Sequence, residues 1–199
     1  MNDSPERRRI GLLGGTFDPP HLAHLVVAEH VRDALGLDEV RFLVAGDPWM
    51  KHGESPAHHR VPMARLAVDG LDGLTVDDRE TFRAGATHTA DTLRELTDES
   101  PDVDWFFIVG QDTANHLPRW RGIDEAMELA TFVVAGRPDV DAELHELTPQ
   151  LHPVEVPLIG VASTGIRGRV RQGRSIRFLV REPVIRYIHE HGLYGAADG

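Results

Sequence analysis

Short apolar runs alternate with amphipathic stretches along this chain, and the alternation predicts its elements. Residues 10–13 (Ile-Gly-Leu-Leu) read as a buried strand, and residues 25–31 as a helix. Residues 40–45 are apolar and β-branched, a second strand; residues 46–56 carry turn chemistry throughout and read as a loop. Residues 60–69 predict a helix, 74–76 a short strand, and 87–96 a helix capped by Thr87 or Thr89. The most apolar run, residues 105–109, predicts a central strand ended by Gly110-Gln111-Asp112. After it come a helix at 123–129, a strand at 131–135, a helix at 139–147 and a strand at 154–156. Helices at about 163–172 and 183–191 close the pattern.

Strands alternating with helices predict an α/β fold: a Rossmann-like, doubly wound, mostly parallel sheet with helices on both faces. Ligands of such sheets lie beyond the carboxyl ends of the strands, near the switch in strand order. If the strands ending at Gly14-Gly15 and at Gly110 are neighbours, their turns line one crevice. No repeat, low-complexity tract or linker interrupts the pattern, so residues 1–199 are expected to form a single domain.

Composition changes this picture little: 41% of the 199 residues are hydrophobic and 27% charged, as in ordinary globular proteins. There is no cysteine, which excludes disulfides, thiolate catalysis and cysteine-based zinc sites and fits a cytoplasmic location. No apolar run is long enough to span a membrane, and no leader of the charged-then-apolar kind is read. Residues 1–9 are polar and predict a frayed start. Charge is more informative. The formal net charge of −11 argues against general nucleic-acid binding, yet Arg167, Arg169, Arg171, Arg174, Arg177, Arg181 and Arg186 crowd the C-terminal part. A local basic patch on an acidic chain fits a small polyanion such as a nucleotide.

The chemistry concentrates in residues 14–24, Gly-Gly-Thr-Phe-Asp-Pro-Pro-His-Leu-Ala-His. Paired glycines let backbone amides approach a ligand, and Asp18 before two prolines predicts a helix N-cap. His21 and His24, three apart, share one helix face beside this anion site. Ser163 or Thr164 caps a later helix, with Arg167 one turn on, a second seat for phosphate. The pairs His21/His24 and His58/His59 raise zinc as an alternative, but no third ligand stands at telling spacing, so no metal site is assigned. Neither a P-loop nor a Gly-x-Ser-x-Gly elbow is present.

Residues 14–24 resemble the signature of the HxGH-type nucleotidyltransferases, and more closely that of the nicotinate-nucleotide adenylyltransferases. The resemblance extends to Glu80-x-x-Arg83-x-Gly85-x-Thr87-His88-Thr89-x-Asp91-Thr92-Leu93, to Gly110-x-Asp112 with Leu117-Pro118-x-Trp120, and to Ser163-Thr164-Gly165-Ile166-Arg167. It continues through Gly173-x-Ser175-Ile176-Arg177 to Gly192-Leu193-Tyr194. The chain departs from the family pattern at Ala23, His88 and Ala162, where glycine, tyrosine and serine are usual.

The resemblance implies transfer of the adenylyl group of ATP to nicotinate mononucleotide, giving deamido-NAD and pyrophosphate, with Mg²⁺ accompanying ATP. It implies His21, His24 and Arg167 as catalytic groups around the phosphates. Gly14, Gly15, Thr16, Phe17, Gly110, Asp112, Ser163 and Thr164 would bind ATP. Asp18, Lys51, Thr87, His88, Thr89 and Trp120 would bind the mononucleotide, with Trp120 stacking on the pyridine ring. The C-terminal helical part, about residues 163–194, would complete the ATP site. The expected partners are these two small molecules, with neither nucleic acid nor membrane and with a homo-oligomer left open. Two other readings stay open: transfer to another phosphate acceptor such as nicotinamide mononucleotide, and a nucleotide-binding regulatory protein without turnover.

Overall fold

The computed structural model describes residues 7–46, 55–136 and 150–196. The loop bearing Lys51 and the predicted helix at 139–147 lie outside the described residues. Among the described residues six strands form one sheet: β1 (Arg8–Gly15), β2 (Glu39–Val44), β3 (Leu74–Asp77), β4 (Val103–Gly110), β5 (Thr131–Gly136) and β6 (Leu151–Glu155). Their order is β3-β2-β1-β4-β5-β6 and every pairing is parallel. The sheet therefore reverses direction of growth at β1/β4, where the chain crosses from one half to the other.

Helices cover both faces. On one, α1 (Leu22–Leu35) and α2 (Ala57–Val68) place Ala28, Val31, Val61, Ala64 and Val68 against Leu13, Phe42, Ile108 and Val133. On the other, α3 (Thr89–Glu99), the short α4 (Gln111–Ala114) and α5 (Ile123–Leu129) place Leu93, Leu96, Ala114 and Ala126 against Ile10, Leu12, Phe107 and Phe132. Consecutive residues of one strand, such as Phe106 and Phe107, thus enter different cores, as the two-residue period of a strand requires. α6 (Ser163–Arg171) and α7 (Glu182–Glu190) build a third apolar cluster on the far side of α2, where Ile166, Val170, Val184 and Ile188 meet Met63 and Ala67. Two faces of α2 are consequently buried.

Several boundaries differ from the sequence expectation for identifiable reasons. The polar start is not frayed from Arg7 onward: Arg7 donates to the carbonyls of Pro101 and Val103 and pairs with Asp104, and β1 begins at Arg8. α3 starts at Thr89 with His88 as its cap, because the Thr87 hydroxyl is donated instead to Glu80. No apolar period betrays α4, which is four residues long. Among the described residues no helix is long and apolar enough to cross a membrane.

Gly11 shows how tightly β1 is packed. A Cβ there would stand 3.0 Å from side-chain carbons of Ile108, Leu37 and Val40. Gly11→Ala is expected to destabilise the protein by roughly 1–3 kcal/mol through overpacking, measurable as a lower midpoint in urea unfolding.

Candidate active site

The carboxyl ends of β1 and β4 lie side by side, and a cleft of about 550 Å³ opens above them. Gly14 to Asp18 form one wall with His21 and His24; Phe107, Gly110 and Trp120 form the opposite one. Ala162, Ser163, Thr164 and Arg167 at the start of α6 close one end, and Glu80, Thr87 and Thr89 lie at another part of the rim. Among the described residues, two expected site residues are not lining groups: Asp112 is exposed on the first turn of α4, and His88 is a half-buried helix cap. Thr113, Phe107 and Glu80 line the cleft without having been singled out as binding groups from the sequence.

The glycine pair serves packing as well as ligand approach. A Cβ on Gly14 would come within 3.1 Å of the Phe107 ring, and one on Gly15 within 2.8 Å of the Phe17 ring. Phe17 is 1% exposed with φ +54°, a backbone region that non-glycine residues rarely enter. Its ring fills the space that Gly15 leaves and packs edge-to-face with the His24 ring at 5.0 Å. The strain is held in place by that burial.

α1 begins at Leu22 with His21 as its cap, so Asp18 is not the N-cap. The His21 amide is donated to His24 Nδ1 at 3.1 Å, and the Leu22 amide to the Leu179 carbonyl at 2.9 Å. The first bond fixes the neutral His24 tautomer with its proton on Nε2. The His21 ring stacks on His24 with centroids 3.7 Å apart, and burial lowers the His21 pKa from 6.5 to about 4. The His24 backbone amide faces the His21 side chain in a capping-box arrangement, but His21 Nδ1 makes no well-formed hydrogen bond among the described residues. Such a nitrogen typically costs about 1–3 kcal/mol until a ligand or water satisfies it.

Asp18 is a buried junction. Its carboxylate accepts the Ser55 amide at 3.0 Å and the Tyr194 hydroxyl at 2.5 Å. Its carbonyl accepts Arg167 Nη1 at 2.7 Å, and that nitrogen stands 3.8 Å from the carboxylate. Ser163, expected as a cap, is the first residue of α6; Ala162 is the cap, and the Ser163 hydroxyl is donated to the Pro19 carbonyl at 2.9 Å. The start of α6 is thereby fastened to the glycine loop.

Two polar centres stand beside the cleft, of which the sequence reading missed Arg60 and named Glu80 only as part of the motif, without its partners. Arg60, 2% exposed, donates to the carbonyls of Ser55, Thr16, Ala45 and Gly46, pulling the β1 and β2 ends together. Glu80, 6% exposed, accepts the hydroxyls of Thr87 at 3.0 Å and Thr92 at 2.6 Å, while Arg83 donates to Thr92 and pairs with Glu95. A Cβ on Gly46 would come within 2.2 Å of the Glu80 carbonyl oxygen. The only signal available in the sequence was the spacing Glu80-x-x-Arg83…Thr87…Thr92, whose partners are set by the fold. No group of three or more His, Asp or Glu side chains among the described residues converges as a metal cage.

A parallel sheet switching at β1/β4, with buried His21, half-buried His24 and a helix N-terminus facing one cleft, defines a nucleotide-handling α/β protein. Comparison with known proteins sharpens this. Residues 12–169 match the Cytidylyltransferase-like family. A Streptococcus pneumoniae protein named "Probable nicotinate-nucleotide adenylyltransferase" is 40% identical over 95% of this chain and 90% of its own. A Geobacillus thermodenitrificans protein of the same name is 44% identical over 94% of this chain and 87% of its own. The solved Plasmodium falciparum nicotinic acid mononucleotide adenylyltransferase complexed with NaAD has the same fold, with a TM-score of 0.81, 19% identity and coverage of 96% of this chain and 98% of its own. The chain belongs to the cytidylyltransferase-like family and, within it, to the nicotinate-nucleotide adenylyltransferases.

Burial of His21 makes stability depend on pH. Its folded pKa, about 4, lies below the unfolded 6.5, so the unfolded state binds more protons between these values. His21 therefore lowers stability as pH falls from about 6.5, with the loss complete below about 4. In urea titrations, the difference in stability between wild type and His21→Asn is expected to change across that window and to be flat above pH 7.

Proposed function

We propose that this protein joins ATP and nicotinate mononucleotide to give deamido-NAD and pyrophosphate. The observation that carries the reading is the meeting of His21, His24, Ser163, Thr164 and Arg167 at one end of a cleft whose other walls hold Trp120, Thr87 and Thr89. The relatives' name supports the same reaction. One end of the cleft suits a polyphosphate and the rest suits a flat ring with a small polar substituent.

The chemistry is an in-line displacement. An oxygen of the mononucleotide phosphate forms a bond to the α-phosphorus of ATP, the bond from that phosphorus to the bridging oxygen breaks, and pyrophosphate leaves with the electron pair. No protein nucleophile is required; the protein orients the reactants and stabilises charge. His24 offers its Nε2 proton to a phosphate oxygen, in the tautomer set by the His21 amide. His21, neutral and without a well-formed hydrogen bond at Nδ1, gains one from the ligand side, and developing negative charge favours its protonation. Arg167 and the free amides at the start of α6 face the outer phosphates. Mg²⁺ bound with ATP would supply charge neutralisation at the leaving pyrophosphate, beside the positive end of α6 and Arg167.

On the other side, Trp120 meets the Phe107 ring edge-on at 6.0 Å and offers a face for the pyridine ring. The amides at the start of α3, near Thr87 to Thr89, suit the nicotinate carboxylate. His88 acts from the cap position, and Asp112 reaches ribose hydroxyls only if a ligand extends past Gly110. Lys51 belongs to the mononucleotide side by sequence resemblance alone. Asp18 lines the cleft on this side and at the same time holds the loop through Ser55, Tyr194 and Arg167. In this reading the whole chain works as one cytoplasmic nucleotidyltransferase domain.

Two assays test the reading. With ATP and Mg²⁺, pyrophosphate release is expected to be much faster with nicotinate mononucleotide than with nicotinamide mononucleotide; the opposite preference would move the specificity claim to the amide. His24→Ala is expected to lower kcat by about 100-fold or more, the usual effect of losing one preorganised donor, and a near-normal rate in that variant would exclude the assigned role.

A further inference from the structure

Four ties fasten the loop before α1 to the C-terminal helices. They are Ser163 Oγ to the Pro19 carbonyl, Arg167 to the Asp18 carbonyl, the Leu22 amide to the Leu179 carbonyl, and the Tyr194 hydroxyl to the Asp18 carboxylate. Ser163 and Arg167 line the cleft; Tyr194 does not. Removing its hydroxyl therefore deletes a tie without deleting a surface that a ligand meets.

The local backbone is bent to make this contact. Tyr194 has φ +59°, flanked by Gly192 at +56° and Gly195 at +76°. A non-glycine residue in that region carries strain, and strain of this kind persists where surrounding contacts determine it. The ring packs in the third apolar cluster beside Met63 and Ala67 of α2, and the hydroxyl also stands 3.8 Å from the Met63 sulfur. One side chain thus joins the end of the C-terminal unit, α2 and the loop after β1. Burial, and after it the hydrogen bond to Asp18, push the phenol far above its ordinary value, so it stays a donor throughout the working pH range.

We propose that Tyr194 is a positioning residue for the phosphate end of the cleft. Its hydroxyl holds the Asp18 carboxylate, and Asp18 sets the carbonyl on which Arg167 rests and the approach of the loop to His21. Asp18 is 1% exposed and receives only two side-chain-directed donors at hydrogen-bond distance among the described residues, the Ser55 amide and this hydroxyl. Without the phenol, a buried carboxylate oxygen lacks its donor and recruits another. The nearest cation is Arg167, 3.8 Å away, whose turn toward the carboxylate withdraws it from the phosphates. The mononucleotide side, at Thr87, Thr89 and Trp120, has no tie to Tyr194.

The proposal rests on the adenylyl-transfer reading, and its test separates the two. Tyr194→Phe is compared with Ile188→Val, which trims a buried α7 side chain of the same cluster that touches neither Asp18 nor the cleft. Melting temperature, kcat, KM for both substrates and ATP affinity by calorimetry are measured for each. Tyr194→Phe is expected to lower kcat about tenfold or more, or weaken ATP binding by a similar factor, with KM for nicotinate mononucleotide unchanged within twofold. Ile188→Val is expected to lose stability with kcat and ATP affinity unchanged. Normal turnover and ATP affinity in Tyr194→Phe overturn the proposal and leave the reaction standing. So does an equal loss of activity in Ile188→Val at matched stability. A wild type that binds ATP but makes no dinucleotide overturns the reaction; the proposal is then decided by the ratio of ATP affinities. A wild type that binds no ATP overturns both.

Discussion

A carboxylate shut away from water must be supplied with donors, and Asp18 is where this protein meets that demand. The carboxylate takes two donors from remote places, the Ser55 amide before α2 and the Tyr194 hydroxyl past α7, and the backbone carbonyl of the same residue takes a third, the Arg167 guanidinium on α6. Each donor belongs to a different element, so the carboxylate fixes how those elements converge. The glycine loop before it cannot shift freely either, because the Phe17 ring is wedged against Gly15 and Phe42. Rigid packing on one side and polar ties on the other leave the loop one arrangement, which is what preorganised charge stabilisation requires.

Much of the architecture was legible in the hydrophobic pattern. The strands β1 to β5 and the helices α1 to α3 and α5 arose from apolar runs, since burial of one or two faces imposes a period, whereas β6 was read at 154–156 and begins three residues earlier, at Leu151. β1 and β4 are neighbours because a chain of right-handed crossovers that switches direction puts its first and fourth strands together. What could not be read were hydrogen bonds whose partners are far apart in sequence. Ser163 looks like a cap, and its hydroxyl is used 144 positions away on Pro19. Asp18 looks like a cap as well, and its carboxylate is used by Ser55 and Tyr194. Local propensity assigns these side chains to their own backbone; tertiary contact reassigns them.

Burial was the other blind spot. The sequence offers His21 and His24 as equivalent donors, yet the fold desolvates His21, lowers its pKa and leaves Nδ1 without a well-formed hydrogen bond, while His24 gains a fixed tautomer. Two identical residues three apart have become two different chemical groups. Arg60 likewise looks like an ordinary first-turn arginine. In place, its guanidinium replaces water for three carbonyls at the ends of β1 and β2 and for that of Ser55 before α2.

The span between residues 18 and 194 also governs when the molecule becomes competent. Synthesis delivers the glycine loop early, and the groups that fasten it follow 144 to 176 residues later. All six strands leave the ribosome before α6 does. A nascent chain can therefore own its sheet while its phosphate end is still unfinished. Fold and competence arrive at different moments, and a chain halted before its last helices is a scaffold with an open loop rather than a weakened enzyme.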